Sequence, residues 1–452
     1  MIKLPPLPHQ KSIIEYMAPF DQFALIADCG IGKTYILLNQ IEIKDYKKIL
    51  VICPRSVMET AWGDDIPMFT DFSYSLVWHQ KIEKRIPLLD SSRIHVINYD
   101  VIDKMYGDLL MQKYDCIILD ECTFIKTHNS KRTKACIKLS KHIANRYILT
   151  GTPGFKPEKL WSPWYFMDPS TWDNKGFFQF REKYFHKIDA NGLPLYFFNK
   201  KYIREINERM YRKGLRVLKD EVQAYLPKRN FIVRLLDMPA DAQKIYETFD
   251  SDGVVGDIYT FFSAAQRMKL RQMANGSVIN DQRGQDKKIE FIHDVKYREV
   301  ERLLDEIPEE EQIIIWANFE EEFTKLADLT GFKKICGGED NAKTIKEFKD
   351  GKIRGVIAHP KSVAHGITWT KCHINILFGL TDDLEYFQQS LDRTHRHGQI
   401  YPVDYHVLLC RYTIDVHIWD THKKNKQLES DLTNNSTLKR LMMNRLILSE
   451  LI

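Results

Sequence analysis

Small residues followed by a lysine and a threonine, in residues 27–34, have the pattern of a loop that binds nucleotide phosphates. Gly30 and Gly32 allow the backbone to turn its N–H groups inward around phosphate oxygens, at the positive end of a following helix. Lys33 would then reach the β and γ phosphates, and Thr34 would give its hydroxyl to Mg²⁺. The segment differs from the usual loop at its first position, where Ala27 replaces a glycine. It predicts ATP and Mg²⁺ as cofactors.

Two neighbouring carboxylates, Asp120 and Glu121, directly follow the short apolar run of residues 116–119. A strand at this place in a parallel sheet would present both acids at the edge where ligands bind. We predict that Asp120 holds Mg²⁺ through its water shell, and that Glu121 orients and deprotonates the attacking water. Either motif alone also suits a solvated turn, whereas the two in this order favour an ATP hydrolase.

Short apolar runs rich in β-branched residues alternate with longer segments compatible with helices, in two separate sets. The first set comprises residues 23–27, 49–53, 94–98, 116–119 and 147–149, and the second comprises residues 313–317, 355–358, 374–378 and 405–409. This alternation builds parallel sheets covered by helices. We therefore predict an α/β fold with two parallel-sheet domains.

The stretch between the two sets is richer in aromatic residues, and we predict a helical and aromatic insert at about residues 155–225. Leu226-Pro227 follows it, and the proline restricts its predecessor, so we place the domain boundary near residue 228, which gives domains 1–228 and 229–452. The insert ends in a basic stretch of Lys200, Lys201, Arg204, Arg209, Arg212, Lys213, Arg216 and Lys219. That stretch suits a solvated helical face as well as one that contacts phosphates.

The composition of the 452 residues is ordinary for a globular protein, with 44% hydrophobic and 28% charged residues. The formal net charge of +5 is compatible with a polyanionic partner but does not establish one. The eight cysteines lack the spacing of a zinc site, so we expect reduced and mostly buried thiols. Residues 1–10 have no apolar core of signal-peptide length, and no run approaches a membrane span, which predicts a soluble intracellular protein.

Further motifs follow in the order found in superfamily-two helicases, and most closely in the Swi/Snf-type DNA translocases. Residues 8–10 resemble the motif whose glutamine, here Gln10, recognises adenine. Residues 120–123 resemble the acidic box, although Thr123 replaces its common histidine and leaves open the interlobe contact usually made there. Residues 149–153, Leu-Thr-Gly-Thr-Pro, resemble the coupling motif. The resemblance runs from Pro8 to about Trp419 and implies two RecA-like lobes that bind ATP in the cleft between them.

The strongest resemblance lies in residues 389–399, QSLDRTHRHGQ, which match the Swi/Snf form of the sixth motif almost residue for residue. Arg393 and Arg396 stand three apart, so on a helix they would share one face and could both reach a γ-phosphate. The resemblance implies that they stabilise the charge that develops there. Hydrolysis would then occur only when the two lobes close.

Motif matching also implies residues that hold a DNA backbone through hydroxyls, amides and cations rather than by reading bases. The candidates are Pro54, Arg55, Asn98, Tyr99 and Thr150 in the first lobe, and Asn318, Ser362 and His365 in the second. Residues 53–55 followed by Trp62 resemble the first DNA-contacting motif, but Trp62 and Tyr99 also suit the core. Arg216 and Lys219 precede Leu226-Pro227 as paired basic residues do in Swi/Snf-type proteins. In the insert, Phe177, Phe178 and Tyr184 could stack on bases or pack in the core.

We therefore predict an ATP-dependent DNA helicase or translocase, favoured as a monomer, that remodels branched or forked DNA in replication, recombination or repair without sequence specificity. Two alternatives remain: a duplex translocase that displaces bound proteins without separating strands, and a non-catalytic clamp that uses ATP as a conformational ligand. RNA stays open as the track because backbone contacts do not reveal a 2′-hydroxyl preference. With little room for added domains, the chain fits a minimal phage or bacterial motor better than a chromatin remodeller. Within that group it resembles a phage branch-migration helicase, expected in the cytoplasm of a bacterium or a phage-infected host cell.

Overall fold

The computed structural model describes residues 1–151, 157–190, 193–219, 227–255, 258–259, 263–280, 288–336, 341–363, 369–396 and 398–433. They form two compact units: the first comprises Met1–Ala224 and Asn425–Ile452, and the second comprises Tyr225–Lys424. Each unit has its own central sheet and its own hydrophobic core. None of the described helices is both long enough and apolar enough to cross a membrane.

The first unit is built on a seven-stranded sheet in which every neighbouring pair of strands is parallel. The strands of this unit are β1 (Gln22–Ala27), β2 (Ile49–Cys53), β3 (Tyr74–Leu76), β4 (Ile94–Asn98), β5 (Cys116–Leu119), β6 (Asn145–Thr150), β7 (Phe185–Ala190), β8 (Leu193–Phe198) and β9 (Gly214–Val217). The spatial order in the sheet is β3-β4-β2-β5-β6-β1-β9, and β7 and β8 form a separate antiparallel hairpin.

Both faces of this sheet are covered, which explains the continuous apolar runs in the sequence. Successive side chains of a strand point to opposite faces, so Ala24 and Ile26 of β1 join the core on one face while Phe23 and Leu25 join the core on the other. The covering helices are α1 (Pro8–Met17), α2 (Lys33–Ile43), α3 (Arg55–Val57), α4 (Asp64–Phe69), α5 (Tyr106–Met111), α6 (Lys131–Ser140), α7 (Trp161–Met167), α8 (Phe177–Tyr184) and α9 (Ile203–Tyr211). A π-helical turn, Met58–Gly63, joins α3 to α4.

Short 3-10 turns complete the first unit, at Ile82–Lys84, Ile86–Leu88, Tyr99–Val101, Cys122–Ile125, Pro157–Leu160, Pro169–Trp172 and Lys200–Tyr202. The predicted insert is helical and aromatic, as α7, α8 and α9 show, but it also holds the hairpin and β9. Strand β9 pairs with β1, with Ala27 opposite Val217 in the register. The end of the insert is therefore part of the central sheet.

The second unit is built on a six-stranded sheet that is also parallel throughout. The strands of the second unit are β10 (Arg229–Leu236), β11 (Val254–Val255), β12 (Ile258–Tyr259), β13 (Ser277–Asn280), β14 (Lys288–Phe291), β15 (Ile313–Trp316), β16 (Lys333–Ile335), β17 (Gly355–Ala358), β18 (Ile374–Leu377) and β19 (Val403–Cys410). The sheet order is β10-β19-β18-β15-β17-β16, while β11 with β12 and β13 with β14 form two small hairpins.

The helices of the second unit are α10 (Ala240–Asp252), α11 (Ser263–Ala274), α12 (Val295–Glu306), α13 (Glu320–Thr330), α14 (Ala342–Asp350) and α15 (Leu384–Leu391). Helix α16 (Ile414–Thr433) also begins in this unit. Each of the nine apolar runs predicted as strands overlaps an observed strand, so the prediction of two parallel α/β domains is confirmed. The prediction of mostly buried cysteines is also confirmed, since six of the eight are buried.

Candidate nucleotide site

The predicted phosphate loop lies between the end of β1 and the start of α2. Gly30 and Gly32 have φ values of +89° and +91°, in a region that glycine adopts without strain. A Cβ added to Gly32 would overlap Nε2 of Gln10, so a side chain at this position would displace the amide of that glutamine. Glycine is required here for the turn, and its missing side chain leaves room for Gln10.

Lys33, the first residue of α2, is half-buried and donates a hydrogen bond from Nζ to the carbonyl oxygen of Ala27, at 2.8 Å. An ammonium group has three N–H donors, and among the described residues this is the one hydrogen bond that the ammonium of Lys33 makes. The neighbouring Thr34 is also half-buried. Lys33 thus keeps donor capacity beside the loop, as a phosphate-binding lysine must.

Gln10, the predicted adenine-binding residue, contacts the phosphate loop directly. Its Nε2 donates to the carbonyl oxygen of Ile31 at 3.2 Å, and its Oε1 accepts from the backbone N–H of Leu7 at 3.0 Å. Nε2 of His9 lies 3.2 Å from the same carbonyl of Ile31, and burial lowers the pKa of this histidine. The start of α1 is therefore fixed to the loop, and recognition of adenine by Gln10 stays a prediction.

Asp120 follows β5 and is held by two donors. Its Oδ2 accepts from the indole Nε1 of Trp62 at 2.9 Å, and its Oδ1 accepts from the backbone N–H of Glu121 at 3.0 Å. Burial raises the pKa of the Asp120 carboxyl, and the charge of Lys33 opposes that shift. Trp62 is fully buried, and its contact with Asp120 was not expected from the sequence, which suggested a DNA-contacting motif or a core aromatic.

Glu121 has a left-handed backbone conformation with φ of +50°, which is uncommon for a residue other than glycine. Its side chain is buried, and its Oε2 accepts from Oγ1 of Thr150 at 3.4 Å. Since Thr150 ends β6, this contact joins the acid pair to the predicted coupling motif. Backbone strain of this kind is found at functional sites.

ATP with Mg²⁺ fits these residues. Phosphate oxygens need backbone N–H groups and a cation, and the loop supplies both at the N-terminus of an 11-residue helix. Mg²⁺ prefers hard oxygen ligands, and the hydroxyl of Thr34 and the carboxylate of Asp120 are of that kind. The geometry at the carboxyl end of β1 and β5 is therefore suited to nucleotide binding.

The predicted DNA contacts of the first unit are mostly interior side chains. Asn98, Tyr99 and Thr150 are between 1% and 3% exposed, and Pro54 is buried. The hydroxyl of Tyr99 donates to the backbone oxygen of Asp120 at 2.8 Å. These side chains serve the interior of the unit in this structure, and their contact with DNA stays a prediction.

Arg55 is the most accessible of these five candidates, with 36% of its side chain exposed. It pairs with Glu59 at 2.7 Å and lies 4.3 Å from the ring centre of Trp78, which Arg85 contacts at the same distance. Arg85 in turn donates to Oδ1 of Asn98 at 2.8 Å. Asn98 therefore helps to place a cluster of one tryptophan and two arginines.

The sixth motif departs from the prediction that its two arginines share one helical face. Helix α15 ends at Leu391, so Arg393 and Arg396 lie in the turn and bend that follow. Arg393 is 3% exposed and donates from Nε to the carbonyl oxygen of Gln389 at 3.0 Å, whereas Arg396 is half-exposed. The two arginines consequently have different surroundings.

The turn after α15 is held by polar contacts that a continuing helix would lack. Nε2 of Gln399 donates to the carbonyl oxygens of Thr394 and Cys372, both at 3.0 Å. Oε1 of Gln399 accepts from the backbone N–H groups of Ile400 and Tyr401. The glutamine that ends the motif thus fixes the chain in a turn.

The other second-unit candidates differ in accessibility. Asn318 donates from Nδ2 to the carbonyl oxygen of Gly379 at 2.7 Å, and its backbone N–H donates to Glu322. Ser362 is exposed. His365 lies outside the described residues, as do Thr152, Pro153 and Leu226 of the predicted motifs and His397 of the sixth motif.

The basic stretch of the insert is not one continuous surface. Arg216 and Lys219 are buried at the phosphate loop, which corrects their interpretation as an extension of a DNA-binding face. Arg216 pairs with Asp28 at 3.0 Å, and the backbone N–H of Lys219 donates to the same carboxylate at 2.9 Å. No sequence pattern indicated this contact, because Asp28 and Arg216 meet only when β9 pairs with β1.

The aromatic residues of the insert divide in a similar way. Phe177 and Tyr184 are buried in the core of the unit, whereas Phe178 is 67% exposed. On the neighbouring hairpin, Phe197, Ile188 and Leu195 are also exposed. Phe178 alone of the three predicted aromatics is therefore accessible for stacking.

Comparisons with known proteins show which family the chain belongs to. Residues 9–296 match the SNF2-related domain, and residues 295–398 match the helicase conserved C-terminal domain. A putative protein p41 from Acyrthosiphon pisum secondary endosymbiont phage 1 is 23% identical, over 94% of this chain and 97% of its own length.

Two further similar proteins are a longer relative and a protein of solved structure. The DNA annealing helicase and endonuclease ZRANB3 of Bos taurus is 22% identical over 95% of this chain, and this chain spans 40% of its length. The solved Sulfolobus solfataricus SWI2/SNF2 ATPase core in complex with dsDNA is 19% identical, with 98% of this chain and 95% of that chain covered and a TM-score of 0.45. Because the SNF2-related domain alone matches more than half of the sequence, this chain belongs to the SNF2-related family of ATP-hydrolysing DNA helicases and translocases.

Proposed function

We propose that this protein is an ATP-driven DNA helicase or translocase that remodels branched or forked DNA in replication, recombination or repair. The observation that carries the proposal is the nucleotide site at the carboxyl edge of the first sheet, in a chain of the SNF2-related family. The name of the ZRANB3 relative, a DNA annealing helicase, supports a branched substrate. The phage relative supports a small motor that acts in the cytoplasm of a phage-infected or bacterial cell.

The first lobe, which we assign to residues 1–228, would bind ATP and perform the chemistry. Lys33 would exchange its hydrogen bond to Ala27 for phosphate oxygens, and the glycine loop would donate backbone N–H groups to them. Mg²⁺, held by Thr34 and Asp120, would neutralise charge on the phosphates. Glu121, oriented by its contact with Thr150, would accept the proton of the attacking water.

The second lobe, which we assign to residues 229–452, would supply the positive charge that completes the site when the lobes close. We infer that Arg396 approaches the γ-phosphate, because its side chain is half-exposed whereas that of Arg393 is buried in its own unit. Arg393, bonded to Gln389 at the end of α15, would hold the turn that presents Arg396. Hydrolysis would then depend on closure, which links ATP turnover to a change in the grip on DNA.

Branch recognition would come from the insert. Phe178 is exposed on α8, and β7 and β8 expose one apolar face that holds Ile188, Leu195 and Phe197. Unpaired bases at a junction offer flat surfaces on which aromatic rings stack, whereas a duplex offers mainly its backbone. Arg212 is exposed on the same unit, where it could contact phosphates.

The deciding experiment compares ATPase rates with single-stranded, duplex, forked and four-way DNA, with RNA of the same forms as controls. We expect forked and four-way DNA to stimulate hydrolysis most and to be unwound in a strand-displacement assay. Equal stimulation by linear duplex and four-way DNA, with no unwinding and with displacement of a triplex strand, would support the duplex translocase instead. Absence of phosphate release with every nucleic acid would support the non-catalytic clamp that uses ATP as a conformational ligand.

The insert can be tested separately by a variant with Phe178→Ala and Phe197→Ala. We expect weaker binding to four-way DNA, by about 30-fold or more for two lost stacking contacts, and unchanged binding to linear duplex. Phe291→Ala is a matched control, because Phe291 is 62% exposed in the second unit, outside the insert. Equal loss of junction and duplex binding would show that the insert does not recognise branches.

A further inference from the structure

A buried arginine joins the phosphate loop to the end of a neighbouring strand in the first unit. Nη2 of Arg216 lies 3.0 Å from Oδ1 of Asp28, which is the second residue of the loop. Nη1 of Arg216 donates to the carbonyl oxygen of Gly151 at 2.7 Å. One guanidinium group thus contacts two segments that are 123 residues apart in the sequence.

The order of the strands explains how these contacts form. Strand β1 lies between β6 and β9, with Ile26 opposite both Thr150 and Arg216 in the register. Asp28 follows the end of β1, and Gly151 follows the end of β6. The carboxyl ends of the three parallel strands therefore bring Arg216 to both partners.

The contact continues from Gly151 to the predicted general base. Thr150, the residue before Gly151, donates from Oγ1 to Oε2 of Glu121 at 3.4 Å. A Cβ added to Gly151 would also lie 3.8 Å from Sγ of Cys29 in the loop, so the two segments are close neighbours. Asp28, Arg216, Gly151, Thr150 and Glu121 form a continuous polar path from the phosphate loop to the acid pair.

The shape of the guanidinium matters for this path. Arginine presents several N–H donors in a rigid plane, so two partners held by one guanidinium are fixed relative to each other. A lysine has a single ammonium on a flexible chain and fixes such a pair poorly. Arg216 is buried and Asp28 is partly buried, so solvent weakens their attraction less than it weakens an ion pair at the surface.

We propose that Arg216 is a positioning residue for ATP hydrolysis: through Asp28 and Gly151 it fixes the phosphate loop relative to Thr150 and the base Glu121. Arg216 itself touches neither nucleotide nor water in this role. The inference rests on the proposed ATPase function of the site. The inference assigns Arg216 of the basic stretch to the ATPase site rather than to a DNA-binding face.

The test is steady-state ATPase kinetics of Arg216→Ala with saturating four-way DNA. We expect kcat to fall by about tenfold or more, because small misplacements of reacting groups cost rate steeply. KM for ATP should change less than about threefold, because the loop glycines and Lys33 remain. Arg216→Lys should recover part of kcat, since it restores the charge but not the paired contacts.

Arg146→Ala is the matched control for loss of a partly buried arginine. Arg146 also lies in the first sheet and donates to the carbonyl oxygens of Met167, Ser140 and Ile143, but it stands at the amino end of β6, opposite Gln22. Its loss should lower the thermal midpoint without a selective loss of kcat. Equal effects of Arg146→Ala and Arg216→Ala on kcat would overturn the proposal.

Asp28→Asn keeps the test decisive even if Arg216→Ala does not fold. The amide keeps the shape of the carboxylate but loses the ion pair, so kcat should fall in the same direction as in Arg216→Lys. The double variant Asp28→Asn with Arg216→Lys should lose less than the product of the two single losses, because both changes break one contact. If the double variant loses the full product of the two single losses in kcat, the proposed polar path from Asp28 to Glu121 is contradicted. If the wild-type protein releases no phosphate, the ATPase function is contradicted instead.

Discussion

Lys33 and Lys296 lie at the carboxyl edges of the two parallel sheets, but their ammonium groups have different partners. Lys296 is fully buried and uses all three N–H donors, on Asp415 at 2.7 Å, on Oδ1 of Asn275 at 2.7 Å and on the carbonyl oxygen of Phe378 at 3.0 Å. Lys33 is half-buried and donates to one carbonyl oxygen among the described residues. A lysine with a complete set of partners stabilises a fold, whereas one with donors remaining can bind a ligand.

The surroundings of Lys296 support this distinction. Asn275, which follows α11, donates from Nδ2 to Oε1 of Glu322 at 2.5 Å, and burial raises the pKa of that glutamate. Oε2 of Glu322 accepts from the backbone N–H of Asn318 at 2.8 Å. The network therefore joins α11, α12, α13 and α16 around the sheet of the second unit.

The largest expected effect is that of Lys33→Ala on ATP turnover. We expect turnover to be abolished, because the substitution removes a charge partner of the β and γ phosphates. The thermal midpoint should stay close to that of the wild type, since one hydrogen bond to Ala27 is lost. Malachite-green phosphate release and thermal unfolding measure the two quantities. Near-normal hydrolysis by a folded Lys33→Ala protein would end the proposed role of this lysine.

Arg396→Ala should come next, with a loss in turnover of about 10³ to 10⁵ if it acts as an arginine finger. ATP affinity, measured with a fluorescent ATP analogue, should fall far less. Arg393→Ala should instead lower the thermal midpoint of the second unit, because Arg393 is buried and bonded to Gln389. A more severe catalytic loss in a stable Arg393→Ala protein would show that the two roles are exchanged.

Glu121→Gln should separate ATP binding from hydrolysis. The amide keeps the size of the carboxylate but cannot accept a proton from water, so we expect kcat to fall by about 10² to 10⁴. Binding of the fluorescent ATP analogue should persist, unlike in Lys33→Ala. Wild-type turnover in Glu121→Gln would place the general base at another residue.

Lys296→Met is the counterpart of Lys33→Ala and should affect stability. It leaves the carboxylate of Asp415 buried without its cation, which costs about 3 to 5 kcal/mol in the free energy of unfolding. Lys333→Met, which breaks an exposed ion pair with Glu347 at 2.7 Å, should lower the free energy of unfolding far less, because solvent screens that pair. Urea unfolding measures both variants. Equal losses would remove the contrast between a buried and an exposed lysine.

The sequence alone determined the local parts of this protein. The glycine loop with Lys33 and Thr34, and the acid pair after β5, are short segments whose function depends on neighbouring residues. Apolar runs buried on both faces of a sheet are also local patterns, so the strands at the centre of each sheet were predicted. Strand β9 was not predicted, because its sequence lies in a basic stretch and only its pairing with β1 identifies it as a strand.

Tertiary structure decided which polar side chains serve the site and which serve the interior. The indole of Trp62 contacts Asp120, and Arg216 contacts Asp28 and Gly151, because strand order brings distant segments to one edge. Likewise, the number of partners that separates Lys33 from Lys296 is set by packing. Residue type fixes how many hydrogen bonds a side chain can make, but only the folded chain decides how many of them are already made.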